Sequence, residues 1–140
     1  MKVKFKKLHP LAKEPYQKYP TDACFDVYAT SMDDLGNGII RYGIGLSFEI
    51  PEGTRLDLRP RSSIYKTGLI LSNSTATGDY GYTGEYLFHF YNIIPSLPNY
   101  KVGDRIGQIH VENVNVIEFI EVKELNESER GENGFGSTGK

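Results

Sequence analysis

Glycine and proline are spread so evenly along this chain that only short regular elements fit between them. The 15 glycines and 7 prolines together make 22 of the 140 residues, and the segments they separate are rich in Ile, Val, Phe, Tyr and Thr, which favour strands. No window shows a sustained apolar repeat of about 3.6 residues, the spacing of an amphipathic helix. The pattern predicts an all-β, single-domain fold, a distorted jelly roll or barrel.

Short segments of alternating or continuous apolar residues are predicted as strands. The first alternates Val3 and Phe5 with lysines, which is typical of a half-buried strand. The others are Phe25 to Ala29, Ile39 to Arg41, Gly45 to Ile50, Arg55 to Leu58, Leu69 to Leu71, Tyr86 to Asn92, Arg105 to Val111 and Val116 to Val122. A helical turn is predicted at Ser62 to Thr67, between two of these strands.

The C-terminal residues differ in composition from the rest of the chain. The run RGENGFGSTGK at positions 130–140 contains four glycines and follows the acidic stretch 124–129. A segment so rich in glycine does not build its own packed core. We therefore expect a β-barrel domain over residues 1–125 and a flexible arm over residues 126–140.

Composition excludes several classes of function. The net charge of −2 lacks the basic excess of a general nucleic-acid binder, and no apolar run approaches the roughly 20 residues of a membrane-spanning helix. With one cysteine, the chain has neither an intrachain disulfide nor a thiolate zinc site of its own. A cytoplasmic protein that binds neither nucleic acid nor membrane is expected.

Two polar clusters suggest sites, although each also has an ordinary structural interpretation. Arg59 to Ser63 places two guanidinium groups beside two hydroxyls, which suits an anion but also a surface turn. Asn73 to Glu85 has the glycines of a hairpin, and within it Asp79 is a candidate general base and Asn73 a candidate reader of a nucleobase edge.

A third segment, Arg105 to Ile109, reads as a strand. Regular alternation would put Ile106 on one face and Arg105 and Gly107 on the other. A glycine inside a strand often marks the close approach of another group.

In their order along the chain, these clusters resemble the five motifs of the trimeric, all-β dUTPase family. The matching segments are ACFDV at 23–27, PRSS at 60–63, DYGYTGE at 79–85, GDRIGQ at 103–108 and RGENGFGSTG at 130–139. The resemblance covers nearly the whole chain and implies hydrolysis of dUTP to dUMP and pyrophosphate.

The resemblance also implies a role for each matched residue. Asp79 would activate the attacking water, with Gln108 and Arg130 completing the catalytic set. Asn73 would read uracil, Tyr82 would exclude a 2′-hydroxyl, and Phe135 would cover the base. Phosphate contacts are implied for Arg61, Ser62, Ser63, Ser137, Thr138 and Gly139, with Asp26 and Arg105 supporting them from behind.

Cofactor and assembly follow from the same resemblance. Family members use Mg²⁺ bound mainly by the triphosphate and water, so no protein metal ligand is expected. A homotrimer is implied, with active sites at subunit interfaces and the arm reaching across to another subunit.

Some positions depart from the family motifs. Cys24 stands where the first motif usually has Gly, Ala76 where the third usually has Gly, and Gly78 where it usually has Ile; Asn133 replaces a Gly in the fifth. The backbone path of the hairpin, and with it the specificity for the nucleobase, depends on Ala76 and Gly78.

Two other functions remain open on the sequence. A non-catalytic nucleotide sensor or regulatory binding protein could use the same trimer, although it would not need a water-activating carboxylate. A dCTP deaminase-like enzyme would need a Glu where this chain has His89.

Overall fold

The computed structural model describes residues 1–134 and is built almost entirely of strands. They are β1 Lys4–Lys7, β2 Phe25–Tyr28, β3 Ser31–Gly36, β4 Ile39–Gly43, β5 Leu46–Glu49, β6 Thr54–Arg59, β7 Leu69–Leu71, β8 Ala76–Gly78, β9 Leu87–Asn92 and β10 Arg105–Asn113. A 3₁₀ turn at Ser62–Lys66 confirms the predicted helical turn. Within the described residues, no helix has the length and hydrophobicity needed to cross a membrane.

The strands form open antiparallel sheets that enclose one core. One four-stranded sheet has the order β2-β10-β6-β8, a second has the order β3-β4-β9-β7, and β1 pairs with β5. The fold is therefore all-β, and its architecture is the jelly-roll form of the prediction. Both large sheets contribute their inner faces to the core.

Aromatic side chains of β9 show how the two sheets meet. Strand alternation turns Phe88 and Phe90 inward, and both are fully buried. Phe90 packs edge-to-face on Tyr42 with ring centroids 5.8 Å apart. The Phe88 ring lies directly against Gly107 of the opposite sheet, where a Cβ would overlap it. This contact is the close approach expected from a glycine within a strand.

Two strands were not foreseen from the sequence: β8, which lies within the segment interpreted as a hairpin, and β3. Strand β3 contains Asp33 and Asp34, which are disfavoured in sheet interiors, and its side chains are mostly exposed. It lies at a sheet edge, paired only with β4, and Arg41 of β4 forms an ion pair with Asp33 at 3.1 Å. Charged residues suit an edge because they discourage pairing with another chain.

The predicted strand at Val116 to Val122 is wrong for this chain by itself. Strand β10 ends at Asn113, and Val114 donates its amide to the Gly53 carbonyl at 2.8 Å. Residues 116–122 have no strand assignment, and Val116 and Phe119 are 102% and 93% exposed. A strand needs a partner for its backbone groups, and the described part of this chain provides none here.

Candidate active site

A buried carboxylate holds several of the predicted site residues together. Asp26, on β2, is 8% exposed. Its Oδ1 accepts hydrogen bonds from Arg61 Nε at 3.1 Å and Gln108 Nε2 at 3.2 Å, and its Oδ2 accepts one from Arg105 Nη1 at 3.0 Å. Ionised acceptors strengthen such bonds. We call Asp26, Arg61, Arg105 and Gln108 the Asp26 cluster, in which one carboxylate fixes the orientation of three donors.

A bulge in β10 overturns the prediction that Arg105 and Gly107 share a face. The pairing of β10 with β2 shifts between Arg105 and Gly107, so Ile106 and Gly107 are both buried. One inserted residue reverses the alternation on one side of the bulge. As a result Arg105 and Gln108, which regular alternation would place on opposite faces, both reach Asp26.

The two predicted serines lie at the start of the 3₁₀ turn that follows β6. Arg61 immediately precedes this turn, and its Nη1 lies 3.5 Å from Ser63 Oγ. Ser62 is exposed and Ser63 half-buried. The turn therefore places both hydroxyl-bearing residues next to the Asp26 cluster.

A cavity of about 340 Å³ adjoins this cluster. Asp26 and Gln108 line it together with the segment before β2, including Tyr16 and Cys24. Cys24 is half-buried, and burial is the main cause that raises the pKa of its thiol. The departure at position 24 thus lies at the wall of this cavity, where a glycine would leave more room.

The β7–β9 hairpin, whose long connecting segment includes β8, carries the other predicted site residues. Asp79 follows directly after β8 and is exposed, as are Asn73 and Tyr82. The Tyr82 amide donates to the Asp79 carbonyl at 3.1 Å, which closes the turn. Among residues 1–134 no hydrogen bond or ion pair engages the Asp79 carboxylate, so it is open to solvent and to a ligand.

Backbone and packing contacts hold this hairpin to the body of the protein. The Glu85 carboxylate accepts a hydrogen bond from the Gly45 amide at 2.8 Å, and the Glu85 carbonyl accepts one from Tyr82 Oη at 2.9 Å. The Tyr82 ring meets the buried Tyr86 ring edge-to-face at 5.1 Å. The position of Tyr82 is therefore set by these two neighbours.

A network of charged residues continues along the polar face of the β6–β10 pair. Asp57 is 1% exposed and accepts hydrogen bonds from Arg59 at 3.2 Å and Thr77 at 3.0 Å. Burial by itself raises the pKa of this carboxyl, but these hydrogen bonds and the charges of Arg55 and Arg59 outweigh it and hold the pKa below its usual value. Asp57 thus ties β6 to β8, two residues before Asp79.

Some predicted site residues are not brought together. Arg130 donates from Nε to the Asn133 carbonyl at 2.9 Å, a contact within its own segment, and within the described residues no bond joins it to Asp79 or to the Asp26 cluster. The predictions for Phe135, Ser137, Thr138 and Gly139 lie outside the described residues.

Comparison with known proteins decides the family. A dUTPase family model matches residues 12–139. The chain belongs to the dUTPase family. The match spans all five segments singled out in the sequence, from the residues before β2 to the glycine-rich C-terminal run.

Relatives of the dUTPase family align along the full length. The deoxyuridine 5′-triphosphate nucleotidohydrolase of Wolinella succinogenes is 37% identical, covering 100% of this chain and 95% of the relative. That of Helicobacter pylori strain 26695 is 38% identical, with 99% and 97% covered. Among solved structures, a dUTPase of Staphylococcus bacteriophage 80alpha with dUpNHpp superposes with a TM-score of 0.86 at 25% identity and 99% coverage of both chains.

Two residues of this dUTPase site were missed from the sequence as supports of the hairpin. Glu85 was noted only as part of a motif, and Tyr86 only as the start of a strand. The sequence held a signal for Tyr86, because the alternation of Tyr86, Phe88 and Phe90 predicts that all three face inward. The small Gly78, standing where the dUTPase pattern usually has Ile, pointed to a bulky neighbour.

Proposed function

We infer that the protein hydrolyses dUTP to dUMP and pyrophosphate. Membership of the dUTPase family and relatives that align from end to end support this function. The observation that carries it is the Asp26 cluster, in which one carboxylate orients two guanidinium groups and an amide.

Asp79 is proposed as the general base. A water positioned by its carboxylate would give up a proton to Asp79 as its oxygen attacks the α-phosphorus. The bond between the α- and β-phosphates would break, and pyrophosphate would leave. Asp79 supports this role because it is exposed and, among residues 1–134, its carboxylate is not already paired.

The Asp26 cluster is proposed to bind the phosphates. Arg61, Gln108, Ser62 and Ser63 would contact phosphate oxygens, and Asp26 and Arg105 would orient them from behind. Because Asp26 occupies one edge of each guanidinium group, the remaining N–H groups stay available for the substrate. Their fixed orientation reduces the reorganisation needed as charge develops on the leaving group.

The hairpin is proposed to recognise the nucleoside. Asn73 would read the uracil edge, and the Tyr82 ring would lie against the deoxyribose and exclude a 2′-hydroxyl. Phe135 would cover the base, and Arg130, Ser137, Thr138 and Gly139 would bind the terminal phosphate. The hydrogen bond from Tyr82 Oη to the Glu85 carbonyl supports a fixed position for this ring.

Mg²⁺ is proposed as the cofactor, in keeping with the general requirement of the dUTPase family. Both carboxylate oxygens of Asp26 are engaged by cationic or amide donors, which makes this carboxylate a poor metal ligand here. Triphosphate oxygens and water, which Mg²⁺ prefers, would hold the ion instead. Bound in this way, the ion would neutralise charge on the phosphates.

A homotrimer with active sites between subunits is proposed as the working form. The apolar segment 116–122 is exposed in the single chain and rich in β-branched residues, which favour strands, so it suits pairing with another copy. An apolar groove of about 390 Å³, lined in part by Phe25, Phe48 and Ile109, would accept such side chains. Residues 126–140 would then act as an arm on a neighbouring subunit. A cytoplasmic location stays a prediction.

Pyrophosphate release is the direct test. The native chain with Mg²⁺ should hydrolyse dUTP and leave UTP, dTTP and dCTP largely intact. Asp79→Asn should lower kcat by roughly 10²–10⁴-fold, the range for loss of a general base, while the exposed Asp33→Asn should not. Absence of turnover with tight dUTP binding would instead favour a nucleotide sensor, and ammonia release from dCTP would favour a deaminase.

Subunit mixing tests the trimer and the arm together. Asp79→Asn and Arg130→Ala chains, each inactive alone, should regain activity when unfolded and refolded together. Mixed trimers would contain sites with an intact Asp79 from one chain and an intact arm from another. If mixing restores nothing although the mixture sediments as a trimer, the arm does not act across subunits.

A further inference from the structure

Gly78 and Tyr86 fit together as a pair within the hairpin. Gly78 is the last residue of β8 and is buried. A Cβ placed on it would overlap Cε1, Cζ and Oη of Tyr86, so no other residue fits there without moving this ring. Where the family motif usually has an Ile side chain, this chain has the ring of Tyr86.

The Tyr86 ring is held firmly by the core of the protein. It is 4% exposed and packs edge-to-face on Phe48, with ring centroids 5.5 Å apart. Its backbone amide donates to the Leu46 carbonyl of β5 at 3.1 Å. A buried aromatic ring enclosed in this way has one accessible rotamer. The Tyr86 ring therefore has a fixed position, and neighbouring residues of the hairpin pack against it.

Both hairpin residues of the proposed reaction depend on the position of Tyr86, one by direct contact and one through its neighbour Gly78. Asp79 is bonded directly to Gly78, so its backbone position depends on how closely Gly78 approaches the Tyr86 ring. Tyr82 packs edge-to-face on Tyr86 at an interplanar angle of 80°. The Tyr82 ring also covers Gly84, where a Cβ would lie 2.7 Å from its Cζ. Asp79, the proposed general base, and Tyr82, the proposed sugar contact, are thus both positioned by Tyr86.

The Tyr86 hydroxyl is a distinct feature of this support. Among residues 1–134 it has no hydrogen-bond partner, although it is buried. Burial first, and then the nearby Tyr82 and Asp79, raise the pKa of Tyr86 to about 12. The hydroxyl therefore stays protonated and neutral at working pH. Phenylalanine would fill the same space without burying a polar atom, which separates the contribution of the ring from that of the hydroxyl.

We propose that Tyr86 is a positioning residue for hydrolysis and for sugar discrimination, because its ring fills the space over Gly78 and sets the placement of Asp79 relative to Tyr82. The ring, and not the hydroxyl, performs this role. The proposal rests on the proposed function, since it assigns Asp79 and Tyr82 the roles given there. It also explains how the hairpin tolerates glycine at position 78.

Four variants test the pair by steady-state kinetics with dUTP and UTP. Tyr86→Phe keeps the ring and should retain native kcat and discrimination, with equal or higher thermal stability. Tyr86→Val removes the ring and Gly78→Ile overlaps it. Each should lower kcat by roughly 10–100-fold, because a displacement of about 1 Å at a reacting group has that effect, and should raise the relative use of UTP.

The double variant Gly78→Ile with Tyr86→Val is the decisive test. It replaces the missing ring with a side chain at position 78 and should recover kcat at least tenfold over either single variant. Phe90→Val is the matched control, because Phe90 is a fully buried aromatic residue on the inner face of β9. It should lower the melting temperature but leave kcat and discrimination unchanged below that temperature.

Specific outcomes would overturn the proposal. A folded Tyr86→Val protein with native kcat and discrimination would do so, and so would a folded double variant no better than the singles. If Tyr86→Val fails to fold, Tyr86→Leu makes the same comparison with a larger side chain. Absence of turnover in the native chain would contradict the proposed function, whereas native turnover with indifferent Tyr86 variants would contradict only this inference.

Discussion

The two halves of the candidate site are held in place by different forces. The Asp26 cluster is joined by charge-assisted hydrogen bonds between side chains from β2, β10 and the segment after β6. The hairpin is held by backbone hydrogen bonds and by aromatic packing on Tyr86. The comparison teaches that the proposed phosphate site depends on orienting charges, whereas the proposed nucleoside site depends on the shape of a loop.

The largest effect is expected from removing the charge at the centre of the cluster. Asp26→Asn keeps the volume but loses the acceptor shared by Arg61 and Arg105, so kcat/KM for dUTP should fall by roughly 10–100-fold, as for charged hydrogen bonds of about 1.5–3 kcal/mol. Discrimination against UTP should not change, because the hairpin is intact. A native kcat/KM in the Asp26→Asn protein would contradict the role of this carboxylate. A parallel loss of discrimination would show that the two halves of the site are not independent. Asp33→Asn is the control.

A smaller effect is expected from loosening the hairpin anchor. Glu85→Ala removes the acceptor of the Gly45 amide and should lower the melting temperature by roughly 3–8 °C, the equivalent of one unsatisfied buried donor. Glu85→Gln keeps a carbonyl oxygen at the same place and should stay close to native. Thermal unfolding of the native, Glu85→Ala and Glu85→Gln proteins measures these differences in melting temperature. Equal losses in Ala and Gln variants would mean that the negative charge, and not the hydrogen bond, anchors the hairpin.

The smallest effect, and one confined to stability, is expected at Asp57. Its pKa is lower in the folded protein than the ordinary value of 3.8, so its ionised form stabilises the fold above about pH 4 and this contribution disappears as the pH falls through the folded pKa. Asp57→Asn should therefore be less stable than the native chain at pH 7, with the gap closing at lower pH. Urea unfolding at pH 7 and pH 3 measures this gap, and a gap that widens in acid would contradict the assignment.

Much of the fold and of the site could be predicted from the sequence. The strand Leu69–Leu71 was predicted from its apolar run after Gly68, and the strand Phe25–Tyr28 from its content of strand-favouring residues. The site residues were predicted because the segments that carry them match the motifs of the dUTPase family in their order along the chain. The arrangement of Arg61, Arg105 and Gln108 around Asp26 was not predictable, because it depends on strands far apart in the sequence.

By itself, then, the sequence determined the all-β class, the helical turn after β6 and the family to which the chain belongs, since these depend on short-range patterns and residue order. Only the tertiary structure decided that Arg105 and Gly107 lie on different faces, because a single bulge in β10 reverses alternation. It also decided that residues 116–122 form no strand in the single chain, because a strand exists only where a second strand satisfies its backbone groups. And it decided the partner of Gly78, because the space that a missing side chain leaves is filled by Tyr86, the residue just before β9.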